Sequence, residues 1–141
     1  MKILVTGSSG YLGEAMMIRF QELGIAALGT DLIAGKYTDQ VGDLRNRSFV
    51  DQLFAKGIKA VIHAATLHKP HVITHSKLDF IESNMSATLH LLEASVEAGV
   101  EAFIFTSTTS TFGDAMRPQL GEDRGQASLC RGRCSSGSTS V

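Results

Sequence analysis

Val5-Thr6-Gly7-Ser8-Ser9-Gly10-Tyr11-Leu12-Gly13 is the stretch whose reading decides the fold. Met1 to Val5 before it form a short apolar run, the pattern of a strand. After it, Glu14 to Leu23 carry apolar residues at helical intervals and stop at Gly24, so the stretch is a tight turn between a strand and a helix. Its three glycines stand at G-x-x-G-x-x-G spacing. One such position needs a backbone conformation closed to other residues, one lets the main chain approach a pyrophosphate, and one lets helix and strand pack closely. An anion would then rest on unpaired amides at the helix N-terminus, where the helix dipole favours it.

Glycine spacing alone is a weak signal, and Asp31 strengthens it. This residue closes the next apolar run, Ile25 to Thr30, at about the distance along the chain where an acid accepts hydrogen bonds from an adenosine ribose. Strand, turn, helix, strand and acid follow in the order a dinucleotide site requires. The alternative, glycines present for packing only, explains the turn but not the acid.

The turn has one more residue between its first two glycines than the G-x-G-x-x-G fingerprint. It resembles the T-G-x-x-G-x-x-G turn of the short-chain dehydrogenase/reductase superfamily, and specifically its extended branch, the NAD-dependent epimerases and dehydratases of nucleotide sugars. That resemblance implies an α/β fold of Rossmann type: a parallel sheet of five strands in the order 3-2-1-4-5 with flanking helices. It also implies NAD as cofactor, held by Gly7, Gly10, Tyr11, Leu12 and Gly13 at the turn and by Asp31 and Leu32 after the second strand.

Composition narrows the class. A chain of 141 residues suits one domain and one core. An apolar fraction of 43% argues against wholesale disorder, and a net charge of -1 gives no reason to expect a nucleic-acid partner. No signal-peptide pattern opens the chain and no apolar run approaches membrane length, so a cytoplasmic protein is expected. The two cysteines, Cys130 and Cys134, lie together near the C-terminus and cannot frame a core with disulfides. They read as incidental thiols.

Beyond Asp31 a polar stretch leads to Val41-Gly42-Asp43-Leu44, a short strand ending in an acid. The family places an Asp and an apolar residue here against the adenine ring, which assigns Asp43 and Leu44 to the cofactor; helping to start the next helix is the other role open to Asp43. Asn46 can cap that helix, which runs through Phe49, Val50, Leu53 and Phe54 to Gly57. Lys59 to Thr66 is a continuous apolar run that turns polar only at its end, as in a parallel strand buried on both faces. Ligands bind beyond the carboxyl ends of such strands, and the small Ala64 and Ala65 let a cofactor pass close by. The run resembles the family's V-I-H-x-A-A segment, with Thr66 in place of the second alanine, and Ala64, Ala65 and Thr66 are assigned to the cofactor on that basis. His63 reads as a strand-end histidine held by hydrogen bonds rather than as a catalytic base. His68, His71 and His75 follow in a Pro-containing loop without an adjacent carboxylate or cysteine, which favours a rim over the substrate pocket above a metal site.

Ser76 and Asp79 have capping-box spacing and open a helix predicted to run unbroken from Lys77 to Ala98. Leu78, Ile81, Met85, Leu89, Leu92 and Val96 recur at intervals of three and four, with Phe80 and Leu91 widening the apolar face. Asn84 to Ala94 resembles the family's N-x-x-G-T-x-x-L-L-E-A helix, which implies that Asn84 hydrogen-bonds near the nicotinamide; a solvent-facing or capping role is the alternative. Ala102 to Phe105 is the fifth strand. Thr106 to Gly113 resembles the family's S-S/T-x-x-V-Y-G segment, which places Thr106 beside the cofactor and makes Thr108 the hydroxyl on the substrate oxygen. Phe112 replaces the family's Tyr.

The resemblance then stops. A helix bearing Tyr-x-x-x-Lys should follow, with the Tyr as general acid/base and the Lys lowering its pKa. This sequence has no Tyr after Tyr37 and no Lys after Lys77. Asp114 to Val141 hold four Arg and no Lys where the preceding chain holds six Lys and three Arg, and we read the switch as a frame change near Leu120 or Gly121. Residues 1–120 are therefore expected to form the N-terminal, NAD-binding part of an epimerase or dehydratase, and residues 121–141 a disordered tail outside the family. Loss of the partner helix should leave the 77–98 helix with an exposed apolar strip prone to self-association. Either the chain is an enzyme, an NAD-dependent epimerase or dehydratase of nucleotide sugars with Thr108 its one retained catalytic group, or it is a non-catalytic fragment that binds NAD.

Overall fold

In a computed structural model of the protein, residues 2–67, 71 and 73–107 are described. The expected tail, Cys130, Cys134 and the segment from Thr108 onward lie outside these residues. The described chain runs β1 (Lys2–Thr6), α1 (Tyr11–Glu22), β2 (Ala27–Asp31), β3 (Gln40–Val41), α2 (Arg47–Phe54), β4 (Ile58–His63), α3 (Lys77–Ile81), a π-helical turn (Glu82–Ser86), α4 (Ala87–Glu97) and β5 (Ala102–Phe105). All strand pairs are parallel and the sheet order is β3-β2-β1-β4-β5, the topology expected from the sequence. The chain starts in the middle strand, winds outward to β3, then returns to the other side of β1. That reversal opens a crevice beyond the carboxyl ends of β1 and β4.

The period-2 alternation of β1 sorts its side chains between two cores. Leu4 joins Leu28 and Val61 on one face, packed by Val50, Leu53 and Phe54 of α2 and by Ala87, Leu91 and Ala94 of α4. Ile3 and Val5 join Ala60 and Ile62 on the other, beneath Met17 of α1. Both faces are covered, which is why β1 and β4 are nearly continuous apolar runs. Asn46 caps α2 as its position suggested, its side-chain oxygen accepting from the Ser48 amide at 3.0 Å. Arg47 reaches from α2 to Glu93 and Glu97 of α4, an exposed ion cluster that adds little to stability. No helix among the described residues is long and apolar enough to cross a membrane.

The helix expected over residues 77–98 differs in one way. It is not unbroken, because one extra residue is accommodated in the π-helical turn at Glu82–Ser86. Thr88 donates from its hydroxyl to the Asn84 carbonyl within this turn, at 2.7 Å. The apolar strip expected to stand exposed on this helix does so. Leu78, Ile81, Met85, Leu89, Leu92 and Val96 are exposed, and the sheet instead receives Ala87, Leu91 and Ala94. Small residues let α4 approach the strands closely, so the stripe of larger apolar residues is left outward. Leu91→Ala is therefore expected to cost about 3 kcal/mol in urea unfolding, and Leu89→Ala less than about 1 kcal/mol; the reverse order would show that the larger residues face the core.

Candidate functional site

Gly7 ends β1 with φ +74°, a left-handed conformation that side chains disfavour. Its amide and that of Ser8 donate to the Thr30 carbonyl at 2.9 and 3.2 Å, tying the turn to β2. A side chain at Gly13 would overlap the Gly7 carbonyl, so Gly13 allows α1 to sit directly on the turn. Gly10 stands at the cap position of α1 and has no side chain to fold back on the first-turn amides. These amides, at a helix start where Tyr11 and Leu12 are exposed residues, suit an anionic ligand.

Asp31 closes β2 beside this turn. Its Oδ2 accepts from the Ser9 amide at 2.9 Å, and its Oδ1 has only a longer contact of 3.4 Å with the Ile33 amide. A carboxylate has room for further donors, and Oδ1 faces that opportunity. The glycine turn and the acid thus share one end of the sheet. Leu32 follows with its side chain exposed.

Three hydroxyls that pattern reading missed fasten the loop after Leu32 onto the turn. Ser9 Oγ donates to the Ile33 carbonyl at 3.1 Å and also meets Thr38 Oγ1 at 2.8 Å, so Thr38 donates to Ser9. Ser8 Oγ lies 2.8 Å from Thr38 Oγ1 and supplies the remaining proton. The signal for them was the pair of serines inside the turn, which periodicity does not register.

On the other side of β1, the Ala64 and Ala65 amides each donate to Thr6 Oγ1 at 3.2 Å. Their backbone runs so close to Gly7 that a Cβ there would lie 2.8 Å from the Ala65 nitrogen. Asn84 projects from the π-helical turn: Oδ1 accepts from the Leu67 amide at 2.8 Å and from the Thr66 hydroxyl at 3.1 Å, while Nδ2 donates to the Leu67 carbonyl at 2.8 Å. The side chain is therefore a clamp on the strand-end loop, neither a cap nor solvent-facing. Thr106 is fixed by its amide and hydroxyl on the His63 carbonyl, at 3.1 and 2.9 Å.

Asp43 and Leu44 are placed differently from the rest. Asp43 turns to Arg45, whose amide donates at 2.9 Å and whose guanidinium lies 2.7 Å away; the Arg45 hydrogen bond holds the carboxyl below the usual carboxylate range. Leu44 buries its side chain in the core, and its carbonyl lies 3.2 Å from His90 Nδ1. The acid follows β3 in a turn and does not close the strand, which is only Gln40–Val41. His71 and His75 stack edge to face with centroids 5.5 Å apart, and His68 lies outside the described residues. Thr108, the expected catalytic hydroxyl, lies outside them as well.

His63 is fully buried. Its Nδ1 lies 2.7 Å from Thr6 Oγ1 and its Nε2 2.9 Å from Thr88 Oγ1, the held state expected of a strand-end histidine. Phe103 and Phe105 flank the ring. Burial lowers its pKa from 6.5 to about 4.

The pattern of the NAD dependent epimerase/dehydratase family matches residues 3–131, nearly the whole chain. The chain belongs to that family. The family match runs past Gly121 into the segment that composition set apart as a tail. A UDP-glucose 4-epimerase of Yersinia pestis is 33% identical over 136 residues, which cover 85% of this chain and 40% of that protein. A UDP-glucose 4-epimerase of Klebsiella pneumoniae is 32% identical over 130 residues, 81% of this chain and 94% of its own sequence. In structure, the Thermus thermophilus UDP-glucose 4-epimerase, solved in complex with NAD, superposes with a TM-score of 0.75 at 26% identity, covering 92% of this chain and 47% of that one. The chain thus spans about two fifths of the length of the Yersinia relative.

The family fold carries an acid sensitivity here through His63. Because the folded state favours the neutral ring, the unfolded chain binds more protons between pH 6.5 and about 4, and stability falls with acid across that window. The loss is expected to reach about 3 kcal/mol near pH 4 and then level off. Urea unfolding from pH 7 to 4 should show it, with a shallower slope in His63→Gln; equal slopes would remove His63 as the cause.

Proposed function

We propose that this chain is the NAD-holding part of a nucleotide-sugar epimerase or dehydratase and acts in the cytoplasm. The observation that carries the reading is the Asp31 carboxylate hydrogen-bonded to the glycine turn through Ser9; an acid that would accept from a ribose thus stands beside a turn that would cradle a phosphate. The first-turn amides of α1, with Gly7, Gly10 and Gly13, would hold the pyrophosphate. Asp31 Oδ1 would accept from the adenosine ribose, Leu32 would flank it, and Asp43 with the Leu44 backbone would border the adenine. Ala64, Ala65, Thr66, Asn84 and Thr106 would line the nicotinamide side, and Thr108 would meet the sugar oxygen. NAD, when bound, supplies a hydride acceptor for the sugar carbon.

The protein's own residues favour NAD over its 2′-phosphorylated form, since a carboxylate at Asp31 repels that phosphate. Within these 141 residues no Tyr-x-x-x-Lys follows Thr108. This favours a second reading, in which the chain binds NAD without converting sugar. The exposed strip on α3 and α4, Leu78 to Val96, supports association with a second copy.

Calorimetry with NAD and NADP, combined with an assay for UDP-glucose epimerisation, tests both readings. Binding of NAD more than about tenfold tighter than NADP is expected, with the preference reduced in Asp31→Asn. NAD binding without conversion of UDP-glucose supports the second reading. Equal binding of the two nucleotides, or none, would contradict the cofactor assignment.

A further inference from the structure

His63 is the largest fully buried polar side chain among the described residues, and both of its ring nitrogens face hydroxyls. Counting protons fixes the direction of every bond around it. Thr88 has one hydroxyl proton, and the Asn84 carbonyl 2.7 Å away can only accept, so the proton points there. His63 Nε2 must then donate to Thr88 Oγ1. At the other end, Thr6 Oγ1 already accepts from the Ala64 and Ala65 amides, and its own proton is free for Nδ1. The bonds therefore run in one direction: Thr6 to His63, His63 to Thr88, Thr88 to the Asn84 carbonyl. A cationic ring would aim a second proton at Thr6 and strand the threonine's own.

We infer that His63 is a positioning residue: held as the neutral Nε2–H tautomer, it ties the Thr6 end of the glycine turn to Asn84 and so sets the two flanks of the cofactor crevice together. Residues 64–67 show what this fixes. Thr6 pins the segment at its start through the Ala64 and Ala65 amides, and the Asn84 side chain pins its end at Thr66 and Leu67. The imidazole, with its two nitrogens a fixed distance apart, is the rigid spacer between those pins. An amide side chain has no second ring nitrogen at that spacing, so it cannot bridge both hydroxyls in the same way. The consequence for NAD rests on the proposed function; the tautomer and the pinning do not.

Nitrogen-15 NMR of the full chain, labelled at histidine, reads the tautomer directly, with the His63 signals identified by their loss in His63→Gln. At neutral pH the expected signature is a protonated Nε2 and an unprotonated Nδ1; an Nδ1–H ring or an imidazolium would overturn the inference. Thr88→Val removes the acceptor for Nε2–H, whereas Thr88→Ser keeps it. Hydrogen exchange at the Ala64 and Ala65 amides should rise about tenfold in Thr88→Val and stay near the wild-type rate in Thr88→Ser, since losing one buried partner exposes a donor. NAD affinity should fall about tenfold in the valine variant only. Equal exchange in the two variants would overturn the relay. If the wild type carries the expected tautomer and exchange pattern but binds no NAD, the relay stands and the cofactor assignment falls.

Discussion

The close approach of α1 to β1 at Gly7 and Gly13 is the constraint on which the rest of the structure depends. Only a left-handed Gly7 and a side-chain-free Gly13 let the helix begin directly over the strand end. That placement directs the N-terminus of α1, with its unpaired amides and favourable dipole, at the mouth of the crevice. The sheet order supplies the crevice itself, because β2 and β4 leave β1 on opposite sides. Asp31 reaches the turn from one side and the Ala64–Ala65 backbone from the other. A larger residue at either glycine would separate helix from strand and dissolve all three relations at once.

Around this point the protein buries polar groups, which is costly unless each finds a partner. Thr6, Ser8, Thr30 and His63 are all buried at the carboxyl ends of the strands. Thr30 donates to the Gln40 carbonyl, Ser8 to Thr38, and Thr6 to the His63 ring. Among the described residues, no buried side-chain nitrogen or oxygen lacks a hydrogen-bond partner. The apolar cores lie below, one on each sheet face, and hold the strands at fixed register. The site is thus a saturated polar layer set on a packed base, an arrangement that favours a preorganised cradle.

Much of this was legible in the chain. Apolar runs ended by Thr6, Asp31 and His63 marked the strands, and the glycine spacing marked the turn, since each depends on local pattern. Asn84 stood out as a polar residue in an apolar helix. The docking face of that helix was legible only in part: Leu91 was counted on its apolar side, but Ala87 and Ala94 also meet the sheet, and amphipathic counting gives little weight to residues that small. The π-helical turn was hidden for a similar reason: it depends on Thr88 and on the loop held by Asn84, contacts absent from any periodicity. The Ser8, Ser9 and Thr38 hydroxyls carry no periodicity, and their role exists only once the loop after Asp31 has folded back. Asp43 stands just past the third strand, but its ion pair with Arg45 is a side-chain choice that spacing does not reveal.

A crystal structure of the protein grown with NAD tests the central claim most directly. The pyrophosphate should lie on the amides at the start of α1, with a ribose hydroxyl within hydrogen-bond distance of Asp31 Oδ1. A dinucleotide bound elsewhere on the sheet, or one whose ribose leaves Asp31 untouched, would contradict it.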